Sequence, residues 1–522
     1  MEIVSKVFLP AFHFFFKKKV FLYFALAIAA AAWLRWDHAH GRVYTYDEII
    51  TPTIMREMVK RDNFDTNWYH ADWTGLWLGK ELFDTPQYNF SSYITFSFLN
   101  SKLFGIPIAE KSRQSTIMQF LHYQSMVCSL VGIIFTGLAI YRYCGMTPAL
   151  VSMLLLAVAP QLVQESHYAR PEAFVFLLSS ILMVAICFCR GKPNLLSLIV
   201  GIVVGVGFAC KFSLVSLAGP YLCWIFMGYM RYSMTTGQMI RQLSIVCGAV
   251  AVSILFCAPY IFINYGDFFA GMRTLLRQYS KPFGNFSLVE YSYPGQLKFI
   301  INYYIDSLGA AWLLLFMLPL LMRPRSQEQL DGYLIFFIPT LVTVAIFSTS
   351  KIFFERNLSQ LWPWYALCVA YGMAALQQNF KNVAKNRSVL SMVGVALLAL
   401  AISKPAFFSY NMQQKLFIED NYSGSSTFIE NLKKRYDESN FVEINPIQYD
   451  DVLREGNIAN GEHIKIIALH YYKDDYGWRI ERILKNLGYI EIDGYRDIFS
   501  GAHISSLQSD FHLIQVKVYK KN

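Results

Sequence analysis

Two adjacent carboxylates, Asp47 and Glu48, lie a few residues beyond the first long apolar segment of the sequence. A carboxylate in this place could act as a general base if it lies within hydrogen-bond reach of a hydroxyl group that must be deprotonated. Thr45 and Glu48 also have the spacing of a capping box, in which Thr45 begins a helix over residues 46–60 and Glu48 returns the bond. The two interpretations are compatible, because a cap would fix the position of Asp47.

Four more ionisable residues, Glu165, His167, Arg170 and Glu172, stand close together in the sequence. Pro171 suits the first turn of a helix, and Glu172 suits the positive end of the helix dipole. Ionisable groups beside a membrane-length apolar segment are costly unless they are paired or functional. We therefore predict that Arg170 binds a phosphate and that His167 and Glu172 contact the substrate or a metal ion.

Three cations, Lys211, Lys351 and Arg356, stand at the ends of other apolar segments. Each could be an interfacial anchor whose long stem lies along the membrane. The positive-inside rule, however, places excess Lys and Arg in cytoplasmic loops, and the topology derived below places these three residues on the other side. An anionic ligand is the simplest reason for their position, and we predict that they bind its phosphate.

The elements that must position these residues are transmembrane helices. Apolar residues make up 55% of the 522 residues and charged residues only 16%, whereas about a quarter of the residues in a soluble domain are charged. The apolar residues recur in blocks of about 17–25, the length that crosses the hydrocarbon of a bilayer. We predict a polytopic α-helical membrane protein with about eleven transmembrane helices, at residues 18–36, 119–141, 146–162, 172–189, 195–211, 213–230, 241–263, 298–322, 332–349, 357–376 and 388–404.

The basic residues determine the predicted orientation of the chain. The net charge of +10 would suggest a nucleic-acid partner in a soluble protein. In a membrane protein, basic residues instead mark cytoplasmic loops and contacts with membrane lipids, so we expect no nucleic-acid partner. The basic residues of the short loops place the N-terminus in the cytoplasm. An odd number of spans then places the C-terminus outside the plasma (inner) membrane.

Three longer polar segments lie on the outer side in this topology. Residues 37–118 and 264–297 are predicted to be external loops of a transmembrane catalytic domain that comprises residues 1–404. Residues 405–522 are predicted to form a small soluble external α/β domain, because short alternating segments favour strands there. Its predicted elements are a strand at 463–469, a helix at 476–487 and a strand at 511–519.

The order and common sidedness of these motifs resemble the GT-C superfamily of membrane glycosyltransferases. The resemblance is strongest to the branch of the protein O-mannosyltransferases and aminoarabinose transferases (glycosyltransferase family 39 and relatives). In that branch an Asp, often followed by Glu, opens the first large external loop. A second acidic residue, which follows an Arg or aliphatic residue and then Pro, starts the fourth span. A glycine-rich fifth span ends in a basic residue, and a late Arg precedes a span that contains Pro. The matching segments are Tyr46-Asp47-Glu48, Arg170-Pro171-Glu172, Gly201 to Lys211 and Arg356 to Pro363.

The resemblance implies transfer of a sugar from a polyprenyl-phosphate carrier to a hydroxyl of a protein, lipid or glycan acceptor on the outer face. Asp47 would be the base, with Glu48 beside it, and a single base opposite the leaving group implies inversion at the sugar carbon. Cations such as Arg170, Lys211 and Arg356 would stabilise the leaving phosphate. No cofactor is required for such a reaction. Whether His167 and a neighbouring carboxylate bind a divalent metal is left open by the sequence.

Two functions other than glycosyl transfer are alternatives for a membrane protein of this kind. A transporter or flippase for a lipid-linked sugar would have inverted repeats, broken helices and charges deep in the membrane, whereas these charges lie at one boundary. A non-catalytic subunit for envelope assembly would keep its role in the pathway without Asp47.

Overall fold

The computed structural model describes nearly all of the helical part of the chain and the strands of its C-terminal part. The described contacts divide the chain into two compact units, Met1–His70 with Pro86–Gln413, and Ala71–Thr85 with Gln414–Asn522. The described residues are 18–36, 46–71, 86–108, 114–232, 234–280, 293–322, 327–351, 355–383, 387–413, 431–436, 441–444, 466–471, 484–486, 488–496 and 515–521.

The first unit is built of helices. In chain order they are α1 Lys18–Arg35, α2 Ile50–Arg61, α3 Ser91–Leu103, α4 Gln114–Cys144, α5 Met146–Val158, α6 Pro160–His167, α7 Glu172–Cys189, α8 Pro193–Cys210, α9 Gly219–Arg231, α10 Thr236–Cys257, α11 Tyr260–Ile263, α12 Tyr265–Tyr279, α13 Tyr293–Leu308, α14 Ala310–Leu321, α15 Gln327–Ser348, α16 Trp362–Val383 and α17 Arg387–Met412. Four short 3-10 helices stand between them in the described residues, at Tyr46–Ile49, Trp68–His70, Phe212–Ala218 and Glu355–Leu361.

The helices identify a multi-pass membrane protein. Within the described part of the chain, six helical segments are long and apolar enough to cross a bilayer, and two bent helix pairs raise the number to eight. The predicted count of about eleven is not reached by this criterion. Within the described side chains of α1, Phe24–Arg35 form a shorter apolar helix, which is not among these segments.

The predicted span at 146–162 is broken into α5 and α6, which meet at an angle of 55°. Pro160 begins α6 and has no N–H to donate, and it keeps Ala159 out of the helical region, at φ −64° and ψ 118°. The break leaves the last carbonyls of α5 without helical donors. The buried guanidinium of Arg35 donates to the carbonyls of Leu156 and Ala157, at 3.1 and 2.8 Å. The broken span is therefore held by α1.

The second unit contains a four-stranded mixed sheet. Its strands are β1 Phe441–Ile444, β2 Ile466–Tyr471, β3 Tyr489–Arg496 and β4 Gln515–Lys521, in the spatial order β1-β2-β4-β3. Strand β1 is parallel to β2, and β4 is antiparallel to both β2 and β3. The two predicted strands correspond to β2 and β4. The predicted helix at 476–487 falls largely outside the described residues.

Helices α8 and α10 approach each other closely through small residues. A Cβ atom added to Gly205 would lie 2.7 Å from the carbonyl oxygen of Val250 and 2.8 Å from Cβ of Ser253. A Cβ atom at Gly201 would lie 2.5 Å from Cβ of Ala249. Such stripes of small residues let two transmembrane backbones pack together. They fix the position of α8, the helix that precedes Lys211.

Substitution of Gly205 tests this packing. Gly205→Ala is expected to destabilise the protein by about 1–3 kcal/mol, because the backbones of α8 and α10 must separate. Gly248→Ala on α10 is the matched control, since a Cβ there meets nothing within 4 Å. It should be neutral or stabilising by up to about 1 kcal/mol through helix propensity. Thermal unfolding in detergent measures both, and equal unfolding temperatures for the two variants would contradict the assigned packing.

Candidate functional site

The candidate site is centred on the carboxylate of Glu172, the first residue of α7, which is 1% exposed. Three cations from three separate elements surround it. Lys211 Nζ lies 2.5 Å from Glu172 Oε1, Arg356 Nε lies 4.0 Å from the same oxygen, and Arg170 Nε lies 3.8 Å from Oε2. The positive end of the α7 dipole also favours a negative charge at this position.

Arg170 is held by residues of α6 and of the turn that follows it. Its Nη2 lies 2.9 Å from both carboxylate oxygens of Glu165, and its guanidinium lies over the ring of Tyr168 at 4.4 Å. The Tyr168 hydroxyl in turn accepts a hydrogen bond of 3.2 Å from the side-chain amide of Gln164. Burial of this arginine is tolerable because a carboxylate and an aromatic face replace water around it.

Around Glu172, the three cations meet two carboxylates, that of Glu172 itself and that of Glu165. Arg170 and both carboxylates are buried, whereas the side chains of Lys211 and Arg356 are 14% and 17% exposed. Lys211 and Arg356 are therefore the more exposed cations of the cluster, whereas Arg170 is enclosed.

The end of α8 places Lys211. Its backbone is extended, with φ −146° and ψ 130°, so the helix stops at Cys210, and its N–H donates to the carbonyl of Gly207 at 2.8 Å. The chain then continues in the 3-10 helix Phe212–Ala218, which replaces the start of the predicted span at 213–230. Lys211 is thus turned toward the start of α7 instead of continuing along its own helix.

Glu48 forms two contacts that the sequence did not indicate. Its carboxylate is fully buried, accepts the backbone N–H of Ala169 at 2.6 Å, and lies 2.9 Å from Nε2 of His122 on α4. The predicted capping bond cannot be located, because Thr45 lies outside the described residues, and the residue that precedes α2 is Ile49. Glu48 therefore attaches the 3-10 helix Tyr46–Ile49 to the turn that carries Arg170.

Asp47 is part of the same 3-10 helix, and its side chain lies outside the described residues. Its chain neighbour Glu48 accepts the N–H of Ala169, the residue before Arg170, so the 3-10 helix that carries Asp47 is joined to the turn that carries Arg170. The role of Asp47 as the base stays a prediction.

His167 ends α6 and is buried, and its Nδ1 donates to the carbonyl of Val163 at 2.7 Å. In the described part of the chain, no three side chains of His, Cys, Asp or Glu are grouped so that they could bind a metal ion. Lys351 is joined to the site region through its backbone. Its N–H donates to the carbonyl of Tyr279 at 3.2 Å, and the Tyr279 hydroxyl accepts a bond of 3.3 Å from Asn357, the residue after Arg356.

Sequence reasoning missed two residues that contact this region. His122 lies within an apolar helix, and an ionisable residue in such a helix is usually paired or functional, so the sequence alone could have identified it. Phe90 belongs to no sequence motif that could have identified it. It stands at the end of the loop 86–90, which is anchored by the buried Tyr88, whose pKa burial raises to about 12.

No protein-family model and no curated protein matches the sequence. Solved structures are similar to this chain. The structure of ArnT from Cupriavidus metallidurans bound to undecaprenyl phosphate matches with a TM-score of 0.49 and 12% identity, over 95% of this chain and 97% of that one.

Two further matches come from other organisms. The oligosaccharyltransferase of Archaeoglobus fulgidus in its apo form has a TM-score of 0.46 and 13% identity, over 76% of this chain and 56% of that one. The mycobacterial arabinofuranosyltransferase AftD has a TM-score of 0.46 and 11% identity, over 95% of this chain and 39% of that one.

Removal of the central carboxylate tests the electrostatics of the site. Glu172→Gln is expected to destabilise the protein by about 3–5 kcal/mol, because it leaves three neighbouring cations without their shared buried counter-charge. The control is Glu57→Gln on α2, whose partners Lys60 and Arg61 are 48% and 36% exposed. That change should cost no more than about 1 kcal/mol. Chemical denaturation in detergent compares the two, and a stable Glu172→Gln protein would contradict the assigned arrangement.

Proposed function

We propose that this protein is an inverting membrane glycosyltransferase, which moves a sugar from a polyprenyl-phosphate carrier to a hydroxyl acceptor on the outer face of the plasma membrane. The observation that carries the proposal is the convergence of Arg170, Lys211 and Arg356 on the buried Glu172.

The cation cluster stands where apolar helices end. Glu172 begins α7 and Lys211 follows the last residue of α8, and both helices are long and apolar enough to span a bilayer. A charged group of a lipid lies at this depth, beside the hydrocarbon that holds its chain. The substrate class that suits the position is therefore a lipid with an anionic head group, presented from the membrane.

The charge of the cluster suits a phosphate that gains negative charge during the reaction. Lys211 and Arg356 are its partly exposed cations, and Glu172 keeps both side chains in place before the substrate binds. Preorganised cations stabilise a leaving phosphate with little reorganisation when the bond breaks. Arg170 adds its charge from the buried side, where its bonds with Glu165 hold it.

The base in this mechanism is Asp47. Its carboxylate takes the proton from the acceptor hydroxyl, and the resulting oxygen nucleophile forms a bond with the anomeric carbon of the sugar. The bond from that carbon to the phosphate oxygen breaks, and polyprenyl phosphate leaves with the electron pair. Attack opposite the leaving group inverts the anomeric centre. No metal or other cofactor enters this mechanism.

Release of polyprenyl phosphate from the purified protein tests the function. The protein in detergent is incubated with a panel of polyprenyl-phosphate sugars and candidate hydroxyl acceptors. The wild type should release polyprenyl phosphate, and Asp47→Asn should lose release by roughly a hundredfold or more, because a general base contributes about this factor. Arg356→Gln should also lower release, while Arg273→Gln, which removes an exposed cation on α12, should not.

The alternatives give other results in the same assay. Equal release by the wild type and Asp47→Asn would remove Asp47 from the mechanism. Equal losses in Arg356→Gln and Arg273→Gln would show that net charge, and not this cluster, matters. Movement of the intact lipid-linked sugar between leaflets without release would identify a transporter or flippase. Neither release nor movement would favour a non-catalytic assembly subunit.

A further inference from the structure

We propose that Phe90 is a positioning residue for Lys211, which its aromatic ring holds against Glu172 in the geometry that receives the lipid phosphate. The proposal rests on the function proposed above, and it assigns a role to a residue outside the predicted motifs. Two independent observations carry it, the backbone conformation of Phe90 and the contacts of its ring.

The backbone of Phe90 lies in the left-handed region, with φ 68° and ψ 8°. Side chains with a Cβ rarely adopt this conformation, and it persists only where surrounding contacts hold it. Among the described residues other than glycine, Asp62 is the only other residue with a positive φ. Asp62 has a common reason, because it ends α2 as a left-handed C-cap. Phe90 precedes α3 as its N-cap, where an extended backbone is usual.

The unusual conformation brings Phe90 to the end of α8. Its N–H donates to the carbonyl of Cys210 at 2.6 Å, and Cys210 is the residue before Lys211. The loop on the other side is also fixed, since the indole N–H of Trp68 donates to the carbonyl of Asn89 at 3.0 Å. The ring of Trp68 contacts the ring of Phe90, with centroids 5.5 Å apart.

The ring of Phe90 then forms the second contact of the Lys211 ammonium. Lys211 Nζ lies 5.7 Å from the centroid of the Phe90 ring and 2.5 Å from Glu172 Oε1. A cation within about 6 Å of an aromatic ring is attracted to its face. A lysine has a flexible four-carbon stem, so two contacts of its ammonium restrict it far more than one. The strained backbone of Phe90 thus has a consequence for the site, because it places the Phe90 ring beside the Lys211 ammonium.

Three substitutions separate this role from simple packing. Phe90→Tyr keeps the ring, Phe90→Leu keeps an apolar side chain without the ring, and Phe90→Asn removes the ring but suits the left-handed backbone. The control is Phe98→Leu, which removes an equivalent ring that lies 5.3 Å from Lys102 Nζ on the same helix.

Two readouts are compared for each full-length variant in detergent. The first is the rate at which an acylating reagent modifies the Lys211 amine, measured by mass spectrometry. The second is the Kd for undecaprenyl phosphate used as the probe. Phe90→Leu and Phe90→Asn should both raise the Lys211 modification rate and weaken binding by about two- to fivefold, the factor expected for a partly exposed cation–π contact. Phe90→Tyr and Phe98→Leu should match the wild type in both.

The outcomes decide between the two proposals. An unchanged Lys211 modification rate in Phe90→Leu would overturn the role of Phe90, whatever the binding result. Weaker binding that follows the unfolding temperature of the variants, with Phe90→Asn less affected than Phe90→Leu, would show a packing role alone. If the wild type does not bind undecaprenyl phosphate while the modification rate still rises in Phe90→Leu, the proposed function fails and the contact of Phe90 with Lys211 stands.

Discussion

A buried carboxylate that three cations share is the interaction on which the site depends. Removing Glu172 from water is expensive by itself, and Lys211, Arg356 and Arg170 offset this cost. Each of these cations comes from a different element, namely the end of α8, the 3-10 helix Glu355–Leu361 and the turn before α7. The requirement to neutralise one charge therefore fixes three parts of the chain relative to one another.

Interruptions of helices make this convergence possible. A continuous helix would carry its polar residues along one face, whereas a helix end can present a charged residue toward a neighbouring element. Pro160 separates α5 from α6, the turn that contains Pro171 separates α6 from α7, and the extended Lys211 ends α8. The backbone groups freed by these breaks find other partners. Arg35 binds the last carbonyls of α5, and the hydroxyl of Ser409 donates to Val158 at 2.8 Å.

The sequence patterns indicated which charged residues come together at the site. They did not indicate which residues these side chains contact. Charges at the ends of apolar segments pointed to Arg170, Glu172, Lys211 and Arg356 because unpaired charges are costly there. The bond of Glu48 to Ala169 was not predictable, since it joins positions far apart in the sequence. The contact of Glu48 with His122 also joins distant positions, whereas a capping box is a local pattern. The conformation of Phe90 also depends on Cys210 and could not be seen from its neighbours in the chain.

The central claim is that the phosphate of a lipid carrier binds at Lys211 and Arg356, in front of Glu172. The most direct measurement is a cryo-EM structure of the wild-type protein in a lipid nanodisc with undecaprenyl phosphate. The account predicts density for the phosphate within hydrogen-bond distance of Lys211 Nζ and the Arg356 guanidinium. A phosphate bound at the opposite ends of α7 and α8, away from these two side chains, would contradict the account.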